Sequence, residues 1–210
     1  MEEYFSVRFE GKQIELAIES SELKLVQADS FEKEIGLYIS IETKGIDIDN
    51  WDEVDQESYQ HHIKPRIYTE WLDISTELIK NRDFRSLETV KIDFADSGEL
   101  NDIERLIWAE APGALYVDNH GVFENVKIDF KYLGQGIFNV TLKGNAEIET
   151  PFDVSANVPL EVELKAYDKS ATQEDITTFF SRILKPEEFN CNWRYRDDDI
   201  FFTATPRELQ

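Results

Sequence analysis

The chain has 210 residues, 41% hydrophobic and 12% aromatic, which is ample material for a core and too apolar for a disordered chain. Its 44 acidic residues against 22 basic ones leave a formal net charge of −22, which repels nucleic-acid phosphates and anionic lipid headgroups and favours encounter with a basic protein. One cysteine, Cys191, excludes an internal disulfide and any multi-cysteine metal site.

Met1-Glu2-Glu3 leads straight into a strand-like pattern, so no signal peptide is expected and the cytoplasm is the expected compartment. Apolar runs are only a few residues long, so no membrane span is expected. A bland alternative to a charge-matched partner is that many bacterial cytosolic proteins are simply acidic.

Phe5, Val7 and Phe9 alternate with Ser6, Arg8 and Glu10, turn at Gly11-Lys12, and return as Ile14, Leu16 and Ile18. Two such runs about a glycine turn predict a β-hairpin. Leu23 and Leu25, then Ile35, Leu37, Ile39 and Ile41, extend it into a predicted meander.

From Gly45 to Glu57 the alternation stops, and the stretch holds six acids with no basic residue: Asp47, Asp49, Asp52, Glu53, Asp55 and Glu57. A calcium loop starting at Asp47 needs an oxygen ligand, Gly and Glu where Trp51, Asp52 and Ser58 stand, so that motif fails. The segment reads as a solvated acidic loop or, functionally, as a partner-binding loop with Trp51 as an apolar anchor. The candidate partner-binding residues are therefore Asp47, Asp49, Trp51, Asp52, Glu53, Asp55 and Glu57.

Residues 60–91 are the least acidic stretch, and Trp71, Ile74, Ser75, Leu78 and Ile79 fall at helical spacing, which predicts a helix over 70–80. His61 and His62 are adjacent and lack a third ligand at a recognised spacing, so no metal site is assigned. Val90, Ile92 and Phe94 predict a strand. Leu100, Ile103, Leu106, Ile107 and Ala111 predict an amphipathic helix stopped by Pro112-Gly113. Leu115 and Val117 open another strand.

The strongest pattern runs from Gly121 to Ala166. Val126, Ile128 and Phe130, then Phe138, Val140 and Leu142, then Phe152 through Leu164, hold the even positions, with mostly polar residues between. Period two over this length predicts three long antiparallel strands with one buried face. Thr172 and Asp175 form a capping box ahead of the stripe Ile176, Phe179, Phe180, Ile183 and Leu184, a helix expected to lie on the even face of the meander. A last hairpin pairs Trp193 and Tyr195 with Ile200–Thr205 around Asp197–Asp199. Cys191 is expected to be a buried structural cysteine.

The expected fold is α+β: mostly antiparallel sheet of about ten strands, with two or three amphipathic helices packed on one face. It is expected to be a single domain over 1–210, with a division into two lobes near 85–98 as the alternative. No nucleophile–base pair, phosphate loop or cofactor motif emerges, so no catalytic residue and no cofactor are assigned. The leading expectation is a non-catalytic protein-binding module that engages a basic partner, as immunity-type or inhibitor proteins do. The alternative is a small-molecule binder or enzyme using a pocket between sheet and helices. Oligomeric state is not fixed by the sequence.

Overall fold

The computed structural model describes residues 2–9, 11–27, 34–47, 62–69, 72–94, 107–108, 113–117, 120–146, 150–165, 172–196 and 199–207. In chain order its elements are β1 (Tyr4–Phe9), β2 (Lys12–Leu16), β3 (Ile18–Gln27), β4 (Glu34–Thr43), β5 (Ile46–Asp47), β6 (His62–Ile63), β7 (Arg66–Thr69) and β8 (Leu72–Ser75). They continue with β9 (Lys91–Phe94), β10 (Ile107–Trp108), β11 (Gly113–Tyr116), β12 (His120–Gly134), β13 (Ile137–Ala146), β14 (Thr150–Lys165), helix α1 (Gln173–Ile183), β15 (Phe189–Arg196) and β16 (Asp199–Pro206).

Strands β12, β13 and β14 form the meander that the alternation predicts, with Phe130 opposite Val140 and Val140 opposite Ala156. Even positions from Phe138 to Leu142 and from Phe152 to Leu164 are buried. Gly136 holds the first turn at φ +73, a conformation in which a Cβ would also press on Pro206. The opening hairpin is present as β1 and β2, but β2 does not fold back to make a simple meander. The chain runs on through Ala17 into β3, which pairs with β4 on one side and, in parallel, with β14 on the other. The sheet is therefore mixed, not purely antiparallel.

These pairings make a closed circuit: β14 to β3, β3 to β4, β4 to β7, β7 to β11, β11 to β12, β12 to β13, and β13 back to β14. Strand β14 makes this possible by its length. Its first half pairs with β13 and β1, and its second half pairs with β3 and β16. A sheet whose members close on one another leaves fewer unpaired backbone groups than an open sheet of equal size. Inside lies one contiguous apolar cluster that includes Phe5, Leu25, Ile39, Ile67, Val140 and Val162, all fully buried.

The expected α+β architecture is not what forms. The protein is mostly β-sheet, and among the described residues α1 is the one α-helix. Residues 70–80 illustrate the reason. Leu72 and Ile74 also alternate with Asp73 and Ser75, and pairing with β4 sets Leu72 opposite Leu37 and Ile74 opposite Ile35, all four buried. Tertiary pairing thus overrides a helical spacing that the same apolar residues satisfied. Ser75 then caps a three-ten turn over Thr76–Leu78. The helix predicted around 99–111 falls mostly outside the described residues, yet Ile107–Trp108 is strand, paired with β8.

Helix α1 follows its sequence signals closely. Thr172 and Asp175 make both bonds of the capping box, and Ile176, Phe179, Phe180 and Ile183 are buried. Burial of such side chains contributes about 1.5–3 kcal/mol each before conformational entropy is charged. Phe180 packs on the β15–β16 hairpin, 5.4 Å from the Phe189 ring and 4.8 Å from that of Phe202. On the meander, Tyr132 and Phe138 are met instead by Phe84, carried on the three-ten segment Phe84–Thr89.

Candidate interaction face

The solvent side of the sheet formed by β11, β7, β4, β3 and the second half of β14 carries an unusual row of side chains. Alternation puts Ile67, Ile41, Leu25 and Val162 into the core, so Arg66, Tyr68, Ser40, Glu42, Lys24, Glu161 and Glu163 take the opposite side. Tyr116 lies opposite Arg66, Arg66 opposite Glu42, Tyr68 opposite Ser40, Tyr38 opposite Lys24, and Lys24 opposite Glu161. Tyr38, Tyr68 and Tyr116 are half-buried, and the Arg66 guanidinium lies 5.2 Å from the Tyr116 ring centre and 5.7 Å from that of Tyr68. Stacking of this kind holds the side chains in place while leaving aromatic surface in water.

Carboxylates outnumber cations on this face: Glu22, Glu42, Glu161 and Glu163 stand against Lys24, Arg66 and Lys165. Burial works against the charge on Lys24, but the hydrogen bond that its ammonium donates to Glu22 and the charges of Glu22, Glu163 and Glu161 outweigh it and raise the ammonium pKa. Beside the face, Lys64 bonds Glu19 and stands 3.6 Å from Glu42. The Glu19 bond raises its pKa.

Of the predicted binding residues, the structure describes Asp47; Asp49, Trp51, Asp52, Glu53, Asp55 and Glu57 lie outside the described residues. Asp47 stands on β5 opposite His62 on β6, with Asp47 Oδ1 2.7 Å from His62 Nδ1. Gly45, at φ +82, admits this closure, because a Cβ there would meet the His62 ring and the Ile63 carbonyl oxygen. Chain order ties the base to the face: β5 follows β4 within three residues of Thr43, and β6 precedes Arg66 on β7. The described strands that flank the acidic segment in sequence, β5 and β6, therefore lie next in the chain to Glu42 and Arg66. His62 has a partner here in Asp47, and among the described residues no group of three His, Cys, Asp or Glu side chains is placed to hold a metal.

Elsewhere, a cleft of about 840 Å³ opens between the Gln135-Gly136 hairpin tip, the three-ten turn Pro186–Glu188 and the ends of β15 and β16. Arg85 reaches it with Nη1 donating to Asp83 Oδ1 at 2.9 Å and Glu188 Oε2 at 2.8 Å, while its guanidinium lies 4.4 Å from the Phe84 ring centre. Burial opposes the charge on Arg85, but the two carboxylate bonds outweigh it and raise the pKa further. Cys191, expected in the core, is instead exposed on β15. Its Sγ is 4.0 Å from the Phe189 carbonyl oxygen, and partial burial pushes the thiol pKa up, opposite to what an activated nucleophile needs.

Sequence reasoning isolated the acidic segment and missed the tyrosine row. The available signal was Tyr38, Tyr68 and Tyr116 on the polar side of three separate strands, a position that solvation alone does not favour. No helix among the described residues is long and apolar enough to cross a membrane. Compared with protein-family models, curated proteins and solved structures, the chain matches none.

Proposed function

We propose that the protein is a non-catalytic binding module that engages a basic protein partner through the tyrosine-bearing face and the adjoining acidic segment Asp47–Glu57. The observation that carries this reading is the juxtaposition at Glu42–Arg66. Half-buried tyrosines and a stacked arginine, side chains enriched where protein interfaces bind tightly, stand close in sequence to a stretch with six acids in thirteen residues. The carboxylates attract and orient a cationic surface, while the tyrosines supply contact area at little entropic loss. Asp47, Asp49, Asp52, Glu53, Asp55 and Glu57 have the steering role and Trp51 that of an apolar anchor.

The test compares two immobilised baits in lysate from the source organism. One is the unaltered chain; in the other, those six acids become Asn or Gln. A stoichiometric basic protein held by the first bait, released as salt rises and lost from the second supports the reading. Equal retention by both baits, or no partner at any ionic strength, refutes it. A third bait carrying Tyr68→Ala and Tyr116→Ala separates the face from the segment.

A further inference from the structure

The cleft between the Gln135-Gly136 tip and the β15–β16 hairpin is built from separate parts of the chain. Arg85 comes from the segment before β9, Gln135 from the meander turn, Glu187 from the turn after α1, Asn190 from β15, and Thr205 and Arg207 from the end of β16. Leu160 and Pro206 form an apolar part of its wall.

The charged groups divide into those already neutralised and those left to face the opening. Glu188 is held by Arg85 at 2.8 Å and approached by Lys185 at 3.7 Å, and Arg85 is shared with Asp83. These groups form a closed set. Arg207 is tethered differently: its backbone N–H donates to the Glu188 carbonyl at 2.8 Å and its Nε to the Phe189 carbonyl at 2.9 Å. That fixes the guanidinium without using Nη1 or Nη2, which have no acceptor among the described residues. The Glu187 carboxylate also lacks an ion-pair partner among them. The cleft therefore offers one oriented cation and one anion, with the amides of Gln135 and Asn190 and the hydroxyl of Thr205 as neutral hydrogen-bonding groups.

We infer that this cleft binds a small zwitterion of the amino-acid or short-peptide class. Its carboxylate is taken by the free face of Arg207 and its ammonium group by Glu187. A planar guanidinium pre-set by a backbone carbonyl suits bidentate recognition of a carboxylate. A plain dianion meets the Glu187 carboxylate and a plain dication meets Arg207, so the pair selects against both.

The test is an amide and arginine-Nε NMR titration of the full chain with glycylglycine, and in parallel with succinate and 1,4-diaminobutane. The expected result is a saturable shift confined to Gln135, Gly136, Asn190 and Arg207 with glycylglycine, at least about tenfold tighter than with the other two probes. Arg207→Gln and Glu187→Gln should each weaken glycylglycine binding by about tenfold or more. Glu187 is exposed on a turn, so its variant carries the test if loss of the Arg207 tether disturbs folding. Linear or scattered shifts with all three probes overturn the site. Succinate binding as tightly as glycylglycine, or no effect of Glu187→Gln, overturns the zwitterion assignment.

Discussion

Replacing Phe84 with Ala should destabilise the protein by about 4 kcal/mol, the middle of the range for a buried aromatic truncated to Ala. Phe84 is 1% exposed and meets Tyr132, Phe138 and Phe189 at ring separations of 5.7, 6.3 and 5.4 Å. Those rings belong to β12, β13 and β15, each fixed by its own ladder, so they cannot all move inward to close the space. Urea denaturation followed by tryptophan fluorescence measures the effect. With a slope of about 2 kcal/mol/M, the midpoint should fall by about 2 M, and thermal unfolding should come about 8–16 °C earlier. Phe84→Leu keeps most of the volume and should lose only about 1–1.5 kcal/mol. Because Phe84 and Phe189 share a contact, the double Ala variant should lose clearly less than the sum of the two single variants. A loss below about 1.5 kcal/mol for Phe84→Ala, or additivity within about 0.5 kcal/mol for the pair, would refute the view that this ring joins the three-ten segment to the sheet.

Gly144→Ala should be severe, by about 3 kcal/mol or more in the same assay, because the added Cβ meets the Asn125 carbonyl oxygen and lies 2.7 Å from Val126 Cα at the β12–β13 bulge. Asn139→Asp should destabilise strongly at neutral pH, since Asn139 is 1% exposed and its Nδ2 donates to Ser155 Oγ, the Ala156 carbonyl and Asn157 Oδ1. Burial among acceptors raises the introduced carboxyl above its unfolded pKa, so the variant should approach wild-type stability at low pH and lose it as pH rises past the carboxylate range. Denaturation midpoints between pH 4 and pH 8 check the sign, and a flat difference would contradict it. Cys191 should alkylate with iodoacetamide more slowly than free cysteine at pH 8, at a rate still climbing above about pH 8.5, because burial raises its pKa. Thiolate-like reactivity at pH 7 would overturn that account.

Strands were legible where one residue pattern had one structural solution. Val126 to Leu164 could satisfy its alternation only as sheet, and Thr172 with Asp175 could serve only as a cap. Residues 70–80 were ambiguous because Ile74, Leu78 and Ile79 fit a helix while Leu72 and Ile74 fit a strand, and the deciding partners Ile35 and Leu37 lie far away in the chain. The parallel union of β3 and β14 left no local trace at all, since either strand reads identically beside an antiparallel neighbour. Tyr195 and Trp193 share a parity on β15, but Trp193 packs on Phe202 at 5.0 Å whereas Tyr195 is 70% exposed. Periodicity assigns a face and cannot say where the core beneath it ends.

The β3–β14 ladder also bears on how the chain is made. Leu23 emerges well before Leu160, which pairs its free edge, and Ser155 donates to the carbonyl of Glu2, 153 positions away. Until β14 leaves the ribosome, the edge of β1 that faces away from β2 and the outer edge of β3 stay unpaired. Contacts this remote slow folding and prolong the life of exposed apolar strands. The nascent N-terminal third is thus the stretch most in need of a chaperone, and truncation anywhere before Lys165 should yield aggregates, not a smaller folded unit.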